Sequence, residues 1–168
     1  MECGSPVNAL PPAAPAPAAD PELIEAARRA MGQAYAPYSR FSVGAALRLR
    51  DGSVMTGANF ENASYGLSLC AETVAIAAAS AAGRMADIVA VAVIGGPTGA
   101  APDPAAAPLT PCGRCRQILA EAAQVAGRDL PVYCASAQGE RQTVHRVSEL
   151  LPFAFTAADL ESGDSQQG

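Results

Sequence analysis

The chain changes hydrophobic period several times, and each change marks an element. In "ELIEAARRAMGQA" apolar residues recur at helical spacing, which predicts a helix with Asp20 as N-cap and Pro21 at its first position. "YAPYSRF" breaks that helix, and "FSVGAALRL" reads as a strand. Asp51-Gly52 signals a hairpin turn into a second strand over residues 54–59. "CAETVAIAAASAAG" reads as a helix ended by Gly83. The β-branched run "DIVAVAVIGG" predicts a buried strand. A long Gly/Pro/Ala loop follows, and then "PCGRCRQILAEAAQVAG", a helix that opens on proline and closes at Gly127. "LPVYCAS" and "RQTVHRV" are predicted strands about a Gln138-Gly139 turn, and "SELLP" is a helical turn. The order α-β-β-α-β-α-β-β-α implies a layered α/β domain with helices on both faces of the sheet.

Composition narrows the picture. Residues 1–20 include "NALPPAAPAPAAD", whose prolines remove donors and whose alanines bury little, so a disordered leader is expected. The folded domain is expected over 21–162, with a flexible tail at 163–168. Half of the 168 residues are apolar, enough for one domain with a core. The net charge is −5, lysine is absent and the arginines are scattered, which argues against a nucleic-acid polymer as partner. The longest apolar run, near 88–94, is far shorter than a membrane span, and the N-terminus lacks the pattern of a secretory signal. Five cysteines, an odd number, then suggest reduced thiols in the cytoplasm, free to bind metal.

The candidate chemistry lies at two helix starts. In "PCGRC", Cys112 and Cys115 are three apart and share a helix face, so both sulfurs reach one ion. Cys70 opens the other helix. Zinc favours thiolates in a tetrahedron, and three of them leave one position open. Two helix N-termini would offset part of the thiolate charge, as would Arg116 next to Cys115. Glu72, in the first turn after Cys70, is placed to move protons beside such an ion. The order C-x-E then P-C-x-x-C is the three-cysteine form of the known H-x-E…P-C-x-x-C pattern of zinc deaminases.

Blander readings stand beside this. Cys70 as a small buried apolar residue, Glu72 as a helix-start carboxylate and C-x-x-C as a redox dithiol each account for one motif. A structural zinc completed by His145, in a non-catalytic zinc-stapled binding module, accounts for another. His145 itself reads as a solvent-facing or satisfied strand histidine, and Cys3 and Cys134 read as bystanders. Asn59 and Glu61 share one face of a strand end and suit a sugar hydroxyl; equally, they suit a strand leaving for a turn. Phe41 by itself is a core strand residue.

The stretches "AYAPYSRFSVGAAL", "GANFENASYG", "CAE", "PCGRCRQIL" and "ELLPFAF", in this order, resemble the small zinc-dependent cytidine deaminases from about residue 22 to residue 160. The resemblance implies a three-layer α/β/α fold with a five-stranded mixed sheet. It implies hydrolysis of cytidine and 2′-deoxycytidine to the uridine forms plus ammonia, in pyrimidine salvage, by a homotetramer with one Zn²⁺ per subunit. It makes Cys70, Cys112 and Cys115 the metal ligands and Glu72 the proton shuttle. Asn59 and Glu61 would hold the ribose, while Phe41 and Ala71 would meet the base. Tyr65 and Phe155 would reach a neighbouring subunit's site. The blasticidin S deaminases, which share "CAE" and "PCGRCRQ", are the nearest alternative, although "NFEN" and "YAPYS" favour an intact ribose. Two features depart from the pattern. Thr73 stands where many three-cysteine relatives carry a charge-offsetting arginine, and the 95–110 loop is long.

Overall fold

The computed structural model describes Pro15 and residues 19–161; most of the expected leader and all of the 163–168 tail lie outside them. Helix α1 is Pro21–Met31. Asp20 caps it, accepting a hydrogen bond from the Leu23 N–H at 3.0 Å. The same carboxylate receives Arg48 at 3.1 Å, which fastens the helix start to the sheet. Strand β1 (Phe41–Leu49) turns back into β2 (Val54–Ala58) through a bend held by Asp51, which accepts from both the N–H and the hydroxyl of Ser53.

After β2 come helix α2 (Ala71–Ala81), strand β3 (Ile88–Pro97), helix α3 (Gly113–Ala126) and strands β4 (Pro131–Ser136) and β5 (Gln142–Arg146). The short helix α4 (Val147–Leu150) follows. The sheet order is β2-β1-β3-β4-β5. Only β3 and β4 run parallel, because α3 crosses between them; the other pairs are antiparallel. The sheet is therefore mixed and five-stranded, as expected.

Strand alternation divides the core in two. Ala45, Leu47, Val91, Val93, Val132 and Cys134 pack with the buried faces of α2 and α3. Ala46, Ala92, Ile94, Tyr133 and Ala135 pack with Leu23, Ile24 and Ala27 of α1. Small residues let the layers approach closely. A Cβ on Gly57 would lie 2.5 Å from both the Ala71 carbonyl oxygen and the Ala75 nitrogen, so α2 rests directly on the backbone of β2.

Two single 3-10 turns, Tyr65–Leu67 and Met85–Asp87, and one α-helix escape the sequence pattern. Helix α5 (Ala157–Glu161) follows a T-x-x-D start in which the Asp159 carboxylate accepts from the Thr156 N–H at 2.7 Å and its hydroxyl at 2.9 Å. That capping signal stands in "TAADLE", but the segment is too short for its periodicity to be read.

Candidate metal centre and active site

The layered fold brings two helix starts together on one side of the sheet. Cys70 is the N-cap of α2, Cys112 is the N-cap of α3, and Cys115 sits in the first turn of α3. Neither cap makes a side-chain hydrogen bond to its own helix, so both sulfurs are left for other work. The three sulfurs lie within 4.8 Å of one another, and Cys70 and Cys112 are 3.8 Å apart. Zinc–sulfur bonds of about 2.3 Å in a tetrahedron separate sulfurs by about 3.8 Å, so the trio fits the ion.

The electrostatics also suit a cation. The Cys70 thiol is pulled down to about 6, chiefly by a hydrogen bond with Cys115 and also by one with Cys112. Cys115 is pushed up in return, because it acts as the proton-bearing partner of Cys70 and is buried. A trio in which one sulfur sheds its proton so readily is ready to exchange protons for metal. Cys134, buried in the core, is pushed up to about 12 by desolvation and remains a thiol. His145 bonds Thr143 at 3.2 Å, and among the described residues it has no place in the sulfur cluster. The reading of a zinc staple completed by His145 therefore loses its fourth ligand.

Glu72 is the one buried carboxylate among the described residues, with 4% of its surface exposed. Burial raises its pKa, opposed by hydrogen bonds from its own backbone N–H and from Cys115. It lines a cavity of about 260 Å³ together with Phe41, Asn59, Glu61, Cys70, Ala71 and Cys112. A deprotonation-competent carboxylate, a sulfur trio and a nucleoside-sized hollow thus meet at one place.

The sequence profile of the cytidine and deoxycytidylate deaminase zinc-binding region matches residues 17–127. The chain belongs to this family. A cytidine deaminase of Halalkalibacterium halodurans is 49% identical over 138 residues, covering 82% of this chain and 95% of that protein. A cytidine deaminase of Mycobacterium tuberculosis is 40% identical over 134 residues, covering 80% and 87%. The crystal structure of cytidine deaminase from Burkholderia pseudomallei superposes with a TM-score of 0.68 at 46% identity, covering 80% of this chain and 97% of that one. Zinc is thus the cofactor of the family, and the sulfur trio is where this chain would hold it.

The remaining residues singled out from the sequence sit as follows. The Asn59 amide is pinned to β1: it accepts from the Val43 N–H at 2.8 Å and donates to the Phe41 carbonyl at 2.9 Å. One oxygen of Glu61 accepts from the Tyr38 and Ser39 N–H groups at 2.9 and 3.2 Å. Each side chain keeps further hydrogen-bonding capacity at the cavity wall. Ala71 is fully buried yet borders the cavity. Tyr65 is 75% exposed beside an adjoining hollow of about 360 Å³, which shares Ser39, Glu61 and Ser68 with the first. Phe155 is 58% exposed, its backbone clasped by the Gln117 amide at 2.7 and 3.1 Å.

Arg116, expected to offset thiolate charge, is anchored to backbone carbonyls. Its guanidinium donates to the carbonyls of Pro111 at 2.9 Å and Leu150 at 3.1 Å, tying the metal loop to α4. Arg114 donates to the Ser68 carbonyl at 3.4 Å, and its charge adds a minor part to the lowering of Cys70 that the hydrogen bonds with Cys115 and Cys112 dominate. Leu109, Thr110 and Ser68 also line the cavity and carry no sequence signal of their own. Leu109 and Thr110 owe their place to the return of the 95–110 loop, where Leu109 donates its N–H to the Ala135 carbonyl at 3.1 Å, and Ser68 ends the Tyr65–Leu67 turn before α2.

Proposed function

We propose that this chain hydrolyses cytidine and 2′-deoxycytidine to uridine and 2′-deoxyuridine, consuming water and releasing ammonia, as a step of pyrimidine salvage. The observation that carries the reading is the buried Glu72 carboxylate beside three clustered sulfurs, with Glu72, Cys70 and Cys112 bordering the cavity. Cys70, Cys112 and Cys115 hold the ion. Zinc, when bound, acts as a Lewis acid that makes water a nucleophile near neutral pH. Glu72 accepts the proton shed by the attacking water and carries it to N3 of the base; it then takes the proton of the new C4 hydroxyl and hands it to the amino group, which leaves as ammonia when the C4–N bond breaks. Its burial favours this role, since desolvation raises its pKa and so makes the carboxylate a stronger base toward water.

Phe41 packs against the pyrimidine, and the backbone around Ala71 meets its polar edge. Glu61 and Asn59 grip the ribose through the capacity their structural bonds leave over. Tyr65 and Phe155, both exposed, suit contributions to a neighbouring subunit's site in a homotetramer. Four free thiols among the described residues suit a reducing, cytoplasmic setting. The domain proper would span 21–162.

The test is an ultraviolet assay of cytidine loss, run beside blasticidin S, with zinc counted on the same sample. Cytidine turnover with about one zinc per chain supports the reading. Turnover of blasticidin S alone moves the chain to the alternative substrate class, and zinc without turnover of either overturns the catalytic role.

A further inference from the structure

We propose that Thr73 is a positioning residue of the metal centre, whose hydroxyl donates a hydrogen bond to the Cys115 sulfur and thereby supplies the charge relief that no guanidinium gives this thiolate. The inference rests on the reading of the three cysteines as the zinc site.

The three sulfurs have unequal surroundings. Cys112 is exposed and Cys70 is half-buried, so water reaches both. Cys115 is fully buried. A buried thiolate needs a donor in its own neighbourhood, because the cost of leaving it without one is not repaid by solvent. The adjacent carboxylate of Glu72 adds negative charge rather than removing it. Arg114 and Arg116 flank Cys115 in sequence, but Arg116 donates to the Pro111 and Leu150 carbonyls and Arg114 to the Ser68 carbonyl at 3.4 Å. Thr73 Oγ1 lies 3.9 Å from Cys115 Sγ, within reach of a sulfur hydrogen bond. Its position has a structural cause. Thr73 is the third residue of α2, directly after Glu72, and the starts of α2 and α3 lie together, with Cys70 Sγ 3.8 Å from Cys112 Sγ. Once the thiol proton is displaced by metal, the sulfur only accepts, and the hydroxyl rotates to donate. Such a bond draws electron density from the sulfur and fixes its direction toward the ion.

The experiment uses the zinc-loaded full chain and two substitutions that divide the side chain into its parts. Thr73→Val removes the hydroxyl and keeps the branched shape; Thr73→Ser keeps the hydroxyl. Zinc release to a chromophoric chelator is timed, and the sulfur-to-metal charge-transfer band is recorded after cobalt replacement. T73V should release zinc ~10-fold faster and shift the band to lower energy, because an unbonded thiolate is the better electron donor. T73S should match the parent in both. Parent-like release and an unmoved band in T73V overturn the proposal, as does equal loss in T73V and T73S, which would assign the effect to the packing of the side chain rather than to its hydroxyl. If T73V does not fold, T73A takes its place against T73S, with the same readings. A parent chain that carries no zinc fails the zinc-site reading itself; a zinc-bearing parent with an indifferent T73V fails the role of Thr73 alone.

Discussion

At the scale of single residues, the side chains of the site do two jobs at once. Glu61 holds the 38–39 turn through one carboxylate oxygen and presents the rest of its acceptor capacity to the cavity. Glu61→Ala should therefore lower kcat/KM for cytidine by about 10–100-fold, the loss of a charge-assisted hydrogen bond, with KM bearing most of it. Glu61→Gln, which keeps an oxygen for both tasks, should lose less. Steady-state kinetics of the pair checks this, and equal loss in both would mean that charge rather than acceptor geometry is at work. The sulfurs and Glu72 were legible in the sequence because helix starts and spacings of two and three are local properties. The partners of those groups were not. That Arg116 reaches the Leu150 carbonyl, and that Thr73 meets Cys115, depends on how segments distant in sequence approach each other.

At the scale of elements, the site depends on how closely α2 lies on β2. Gly57→Ala would thrust a methyl group against the Ala71 and Ala75 backbone. Overpacking of this kind costs about 1–3 kcal/mol, and here it displaces the helix that carries Cys70 and Glu72. Lower thermal stability together with weaker zinc retention is the expected outcome, read by melting and by chelator competition. A mutant that melts early yet holds zinc as the parent does would separate the site from this contact. The β1–β2 turn offers a second handle. Hydrogen bonds from Ser53 and the nearby Arg84 lower Asp51 from 3.8 to about 2. Its folded pKa thus lies below the unfolded one, so its contribution is complete above about pH 4 and vanishes as the pH falls through 2. The melting difference between parent and Asp51→Asn should shrink across that window, and a constant difference would mean that the turn does not feel the charge. Asp51-Gly52 announces the hairpin, β3 shows as a continuous β-branched run, and the long helices show through their spacing and caps. Helix α5 was missed because five residues carry too little periodicity, leaving only the Thr156–Asp159 cap to announce it.

At the scale of the whole molecule, large apolar side chains remain uncovered. Tyr65, Leu67, Phe153 and Phe155 are all more than half exposed. Side chains of this kind in this number suit contact surfaces between subunits. Light scattering should give about four times the chain mass for a homotetramer, and a monomer mass under assay conditions would remove Tyr65 and Phe155 from a neighbour's site. Layer order followed from the alternation of strands and helices, whereas assembly did not, because exposure is a property of the folded surface. The central claim is narrower than assembly. It is that Glu72 moves protons over a metal held by Cys70, Cys112 and Cys115. Cytidine turnover and zinc content, measured together on the parent and on Glu72→Gln, test it most directly. The account predicts unchanged zinc and a turnover lower by about 10²–10⁴-fold in the variant. Parent-like turnover in Glu72→Gln, with zinc in place, would contradict it.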